Sequence, residues 1–151
     1  MSSNNLLRIK TVQYQDEIVV IKHIRTKVFQ EEQEVDPELE FDGLDADAIH
    51  FLAYINNQAV GTARVREINS NTSKIERLAV LAQARKQGIG KKLMSAALKT
   101  IAQQNKTTVI IHSQEYIAPL YQQLGFKIVG EKFSEAGIAH VKMVKQLSQS
   151  D

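Results

Sequence analysis

The chain contains no cysteine and no tryptophan, and only two prolines and seven glycines in 151 residues. Without cysteine, disulfides, thiolate metal sites and a cysteine nucleophile are all excluded. The four histidines, His23, His50, His112 and His140, lack close ligand spacing such as HxxxH, so no metal is expected. No apolar run approaches the roughly 18 residues that span a bilayer. The opening "MSSNNLLRIK" lacks the basic-then-apolar order of a secretory signal, so a cytoplasmic protein with no membrane partner is expected. A formal charge of +2 is too small to argue for nucleic acid, which demands a concentrated basic face.

The length suits one domain over residues 1–151, with no repeat, linker or low-complexity tract. "LLRIKTV" (6–12) alternates like a strand, and "DEIVVIKHIRTKVF" (16–29) sets Ile18, Ile21, Arg25 and Val28 on one helical face, with Asp16 as N-cap. Residues 31–47 hold nine of the seventeen acidic residues and no Lys or Arg. Pro37 and Gly43 mark this stretch as a loop with room for a helical turn. "HFLAYIN" and "QAVGTARVREI" read as a hairpin joined at "NNQ", and "SKIERLAVL" (73–81) as a third strand. From Ile89, the residues Leu93, Met94, Ala97, Leu98 and Ile101 form a helical stripe. "TTVIIHS" (107–113) reads as a strand covered on both faces. A short helix ends near Gly125, and two strands, "FKIVGEKF" and "IAHVKMVKQL", close the chain. The order β-α-β-β-β-α-β-α-β-β predicts an α/β (α+β) domain with a mixed sheet.

The chemistry concentrates in "RKQGIGKKLM" (85–94), where two glycines and four cations precede a helix. A helix N-terminus carries unpaired N–H groups and about half a positive charge. Glycines let those groups approach an anion closely. Strand, glycine-rich turn and amphipathic helix therefore make a phosphate cradle. The dinucleotide fingerprint fails at Leu93, and the P-loop pattern fails at Arg85 and Lys92.

What fits is R-x-x-G-x-G from Arg85 to Gly90. With "IERLAV" before it and "YQQLGF" after it, the chain resembles the GNAT acetyltransferases over roughly residues 6 to 147. The resemblance implies that the fold is theirs and that acetyl-CoA is the donor substrate, with no metal. It implies a pyrophosphate site at Arg85, Lys86, Gln87, Gly88, Ile89, Gly90 and Lys91. It also implies main-chain contacts to the pantetheine arm along Leu78, Ala79 and Val80, where the strand at 74–81 parts from that at 107–113. Tyr121 falls where many members carry the acid that protonates the leaving thiolate.

"GEKFSEAGIAHVKM" resembles the C-terminal segment of the glyphosate-type branch, which places His140 as the amine's base; Glu76 is the competing base. Strict alternation would put Glu76, Leu78 and Val80 on one face and Ile75, Arg77 and Ala79 on the other. Arg25 and Arg77 match positions that hold an acidic group of the acceptor, whereas Gln114 stands where an arginine is expected. For both arginines an ion pair to the acidic loop competes with that role. The stretch 29–54 resembles the ElaA-like branch. Its acidic run reads first as a solvated loop and second as an attractor of cationic amines. The implied activity is N-acetyl transfer to a small-molecule primary amine by direct attack. A coenzyme A-binding sensor or a protein N-acetyltransferase are the alternatives, and a homodimer is compatible with the resemblance.

Overall fold

The computed structural model describes residues 6–147. Strand β1 (Leu7–Val12) leads into α1 (Ile18–Arg25), which runs on as a π-helical stretch over Thr26–Glu32. Next come a short helix α2 (Pro37–Glu40), the meander β2 (Ile49–Ile55), β3 (Gln58–Asn69) and β4 (Thr72–Val80), and helix α3 (Ile89–Gln103). Strand β5 (Thr108–Gln114), helix α4 (Ala118–Gln123) and the hairpin β6 (Lys127–Glu135) and β7 (Ile138–Gln146) complete the chain. All seven strands form one sheet in the order β1-β2-β3-β4-β5-β7-β6, antiparallel throughout except for the parallel β4–β5 pair.

The β2–β3 hairpin follows its sequence signal: Asn56 and Asn57 both take positive φ, the conformation that Asn tolerates best after Gly. Helix α3 buries Ile89, Leu93, Met94, Ala97 and Ile101 against one sheet face, with Phe51, Ala63, Val65 and Ile75 beneath. It packs closely because Gly61 carries no side chain: a Cβ there would stand 3.1 Å from Leu93 Cδ1 and 3.2 Å from the Ala79 carbonyl. On the other face α1 buries Ile21 and Ile24 against Leu52, Ala79 and Leu81. Helix α1 starts at Ile18 with Glu17 as its N-cap residue and no capping side chain, so Asp16 does not cap it. The strand β5 is not covered on both faces; buried residues alternate with half-buried ones, and its end from Ile111 to Gln114 lines a cleft.

The acidic stretch departs most from its sequence reading. Most of it is exposed, as in a solvated loop, but two of its carboxylates are not: Glu40 is 2% exposed and Asp45 5%. Their partners are arginines inside the fold. Arg25 donates from Nε to Glu40 Oε2 and from Nη1 to Asp45 Oδ1, both at 2.6 Å, beneath the Phe41 ring. Arg64, 1% exposed, donates to Asp42 at 2.9 Å, to Asp45 at 3.0 Å and to Glu76. His50 donates from Nε2 to the Asp45 carbonyl at 2.9 Å, and its buried Nδ1 has no partner among the described residues. Three of the nine carboxylates, Glu40, Asp42 and Asp45, thus supply the counter-charge for the buried Arg25 and Arg64.

This network sets the acid sensitivity of the fold. Burial alone would raise the Asp45 carboxyl, but hydrogen bonds from Arg25 and Arg64 hold it below the ordinary range; for Asp42 the opposing bonds come from Arg64 and the Leu44 amide. Such carboxylates stabilise the native state above their unfolded value near 3.9, and that contribution is lost as pH falls through the lower native values. Burial lowers the His50 imidazole, so the unfolded chain binds a proton first, below about pH 6.5. The urea midpoint should therefore hold steady above about pH 7, decline gently below it and collapse below about pH 4. Asp45→Asn should remove part of the steep phase, and a midpoint that rises on acidification would contradict the assignment.

Candidate active site

Strands β4 and β5 pair only through Thr72–Thr108, Ser73–Val109 and Lys74–Ile110. Beyond Lys74 they part, and a cavity of about 390 Å³ opens between them. Its walls come from β4, β5, α4, the β6–β7 hairpin and the end of the π-helical stretch, including Phe29 and Gln33. That volume lies in the range of small-molecule sites.

A bulge shapes the β4 wall. Thr62 pairs with Ala79 and Arg64 with Glu76, so Arg77 and Leu78 together face the single residue Ala63. Arg77 takes φ of 57° to make room. The strict alternation expected from the sequence does not survive it. Ile75, Leu78 and Val80 all pack toward the α3 face, whereas Ala79 and Leu81 pack toward α1. Leu81 N–H donates to the Val60 carbonyl at 2.8 Å, whereas the Val80 carbonyl turns away from β3 and accepts Arg85 Nε at 2.9 Å. The neighbouring N–H of Val80 shares that outward edge, where β5 offers no ladder partner.

Tyr121 and His140 line the same cavity from different elements. The segment "YQQLGF" closes α4 in a Schellman motif: Phe126 N–H donates to the Tyr121 carbonyl at 3.1 Å and Gly125 N–H to the Gln122 carbonyl at 3.0 Å. Gly125 takes φ of 95°, and the Phe126 ring meets Tyr121 edge-on at 6.2 Å. Burial pushes the Tyr121 phenol up to about 12. His140, 7% exposed, lies on β7 between Gln114 and Phe133. Its Nδ1–H donates to the Ile138 carbonyl at 2.8 Å, leaving Nε2 with its lone pair.

Past the C-terminal end of β4, Gly88 takes φ of 76° as the residue preceding α3, and no side chain caps that helix. The first helical bond runs from Lys92 N–H to the Gly88 carbonyl, so the N–H groups of Ile89, Gly90 and Lys91 precede the ladder. A Cβ built on Gly90 would meet nothing within 4 Å. Arg85 is less available than its motif implies. Its guanidinium forms a two-pronged pair with Glu32, at 2.8 and 2.7 Å.

Two expected acceptor contacts sit differently. Arg25 does not line the cavity; it is 1% exposed and spent on Glu40 and Asp45, so the ion-pair alternative describes it. Arg77 does reach the cavity, but it donates to the Leu39 and Glu40 carbonyls at 3.2 Å and to Asp42 at 3.1 Å. Glu76, the competing base, is held by Arg64, Arg66 and Lys74. Sequence reasoning passed over Arg64, His112, Glu135 and Lys74. A signal existed for the first: Arg64 stands in a strand at an inward position, where a charge needs buried partners.

The fold and this cleft define a class. Residues 11–147 match the family model described as "Acetyltransferase (GNAT) domain". The chain is 37% identical to the protein YyaT of Bacillus subtilis (strain 168), across 95% of this chain and 99% of that one. It belongs to the GNAT acetyltransferase family. Within that family it falls with the ElaA-like branch: the crystal structure of Escherichia coli ElaA superposes with a TM-score of 0.81 at 26% identity, covering 93% of this chain and 99% of that one. A GNAT family acetyltransferase from Elizabethkingia anophelis, solved with acetyl-CoA bound, shares the fold at a TM-score of 0.69 and 20% identity, covering 96% and 100%. Among the described residues no helix is long and apolar enough to cross a membrane, and no cluster of His, Asp and Glu could hold a metal ion.

Gly125 carries the geometry of Tyr121, so Gly125→Ala should cost about 1 kcal/mol of unfolding free energy through its left-handed φ. A urea titration checks this, and an unchanged midpoint would separate the helix stop from the placement of Tyr121.

Proposed function

We propose that this GNAT acetyltransferase moves an acetyl group from acetyl-CoA to the primary amine of a small molecule, by direct attack in a ternary complex. The observation that carries the reading is the convergence of Tyr121 and His140 on one cavity, opened where β4 leaves β5. The site residues fit the donor substrate: an uncapped helix N-terminus lies beside Gly90, where a Cβ would occupy open space. Main-chain donors from Gln87 to Lys91 hold the pyrophosphate, with Lys86 and Lys91 adding charge. Arg85 contributes after its pair with Glu32 yields or widens. Leu78, Ala79 and Val80 offer the exposed edge of β4 to the pantetheine arm.

When bound, the donor supplies an acyl thioester. The side chains of this protein then have two tasks. His140 accepts the amine proton at Nε2, since Nδ1–H is committed to the Ile138 carbonyl. Glu76 is unsuited, its oxygens being held by three cations. Tyr121 serves the leaving group. Full transfer from a phenol of about 12 to a thiolate of ordinary pKa near 8.5 runs uphill. Tyr121 therefore acts first as a hydrogen-bond donor to the charge growing on sulfur.

Tyr121→Phe should lower kcat about 10²-fold while leaving the coenzyme A dissociation constant within about twofold. The check is thiol release with a panel of amines beside calorimetric titration, and a fully active variant removes Tyr121 from the chemistry. Binding of the donor without thiol release in the presence of any amine would favour the coenzyme A sensor. Gly90→Ala should weaken coenzyme A binding at least tenfold, yet hold or raise the melting temperature, because Ala gains up to about 1 kcal/mol over Gly in a helix. Unchanged affinity in that variant would clear the cradle of its role.

A further inference from the structure

Three strands bring a carboxylate between two imidazoles. Glu135 ends β6, and the turn at Ala136 and Gly137, with φ of 52° and 77°, returns the chain as β7 toward His140. Glu135 Oε1 accepts a hydrogen bond from His112 Nδ1 on β5 at 3.0 Å. Glu135 Oε2 stands 3.7 Å from His140 Nε2. Phe133 separates the two rings, edge-on to His112 at 5.0 Å and stacked with His140 at 5.9 Å. Glu135, His112 and His140 all line the catalytic cavity.

The tautomer gives this arrangement its meaning. With Nδ1–H donated to the Ile138 carbonyl, neutral His140 turns a lone pair, not a proton, toward the carboxylate. Two acceptors do not bond, and the separation of 3.7 Å exceeds a hydrogen bond. Once Nε2 carries a proton, the same pair attracts. We propose that Glu135, clamped by His112, is the positioning counter-ion that stabilises the imidazolium form of His140 and so sets its strength as the amine's base. The inference rests on the reading of His140 as that base. In the step, the amine N–H bond breaks and the Nε2–H bond forms. Glu135 remains a carboxylate and balances the charge of the new imidazolium from 3.7 Å away.

The surroundings permit this. The hydrogen bond from His112 is the chief reason that the Glu135 carboxyl lies below its ordinary range, so it stays ionised where imidazoles titrate. Lys74 on β4 faces the same carboxylate and draws on its charge. Lys142 on β7 lies opposite His112 in the register, and Lys132 on β6 is tied to Glu115 at 2.9 Å. Further along the β4 wall, Glu76 is matched by Arg64, Arg66 and Lys74, and Arg77 by Asp42. Glu40 is held by Arg25, and Tyr121 keeps its proton throughout.

The test is an NMR titration of the four imidazoles in the full chain, with His140 assigned through His140→Gln. Glu135→Gln should lower the His140 midpoint by about one pH unit, the low end for an opposite charge within 4–6 Å, and Glu135→Asp should restore part of it. An unmoved midpoint overturns the proposal, including when the variant melts earlier, since that marks a merely structural role. In turnover with any amine that supports it, the acid limb of kcat/KM should move down by the same amount. The plateau should fall by less than about tenfold, the ceiling set by one unit of basicity. His140→Gln separates the two claims: an acid limb that persists there refutes the base itself. A limb that vanishes there, beside an unmoved midpoint in Glu135→Gln, overturns only the role of Glu135.

Discussion

The site exists because the β4–β5 ladder stops after three residue pairs. A parallel pair of full length would fill the cleft with backbone hydrogen bonds and leave no edge for a ligand to use. The bulge at Arg77 and Leu78 lies just past the last pair and adds local twist, which swings the end of β4 away from β5. The strand that carries the donor's expected contacts is thus held firmly by β3 on one edge and left unpaired on the other. A binding edge of this kind needs protection from adventitious strand pairing, and the covering segments from the π-helical stretch and α4 provide it. Gln114 on β5 donates to Gln33 at 3.1 Å and so ties one of those covers across the opening.

The bulge in turn leans on charge. Arg77 holds its left-handed conformation while its guanidinium reaches the Leu39 and Glu40 carbonyls and Asp42. Those acceptors stay in place because Arg25 and Arg64 anchor Glu40, Asp42 and Asp45 from inside. Buried ion pairs contribute little net stability when compared with well-packed apolar residues, but removing one partner strands the other charge. Such a network therefore fixes an arrangement more than it strengthens the fold. Here the fixed arrangement is the loop over the α1 face, whose Leu39, Glu40 and Asp42 form one rim of the cavity.

What could be read from the sequence was local. The turn at Asn56–Asn57, the stripe of α3, the cradle glycines and the stop at Gly125 each depend on residues within one turn or hairpin, where φ preferences and periodicity decide the outcome. What escaped was non-local. The identity of Arg64 as the hub follows from Asp42, Asp45 and Glu76, residues 12 to 22 positions away. The inward face of Glu76 could not be settled because one bulge residue inverts the alternation after it. The acidic run reads as a solvated loop in any window that contains no cation, and its cations lie on α1, β3 and β4. For Arg25 the sequence leaves two roles open for the same reason: a helix-face pattern says that a residue points inward, not whether it meets a ligand or a carboxylate.

The choice between direct transfer and an acyl-enzyme turns on which nucleophiles the cavity contains. The sequence holds no cysteine. Ser113 is buried on the cavity wall, but its hydroxyl donates to the Gln114 carbonyl at 2.8 Å instead of to an imidazole, so no base activates it. The tyrosine phenol, pushed up to about 12, remains protonated at neutral pH and is a donor, not a nucleophile. His140, the base in the proposed mechanism, lines the cavity with a carboxylate 3.7 Å from its Nε2. Such an imidazole suits taking a proton from an entering amine better than attacking, because Glu135 stands near to match the charge it gains. The side chains that are present therefore fit the proposed single displacement, with the amine as nucleophile and the protein moving protons around it.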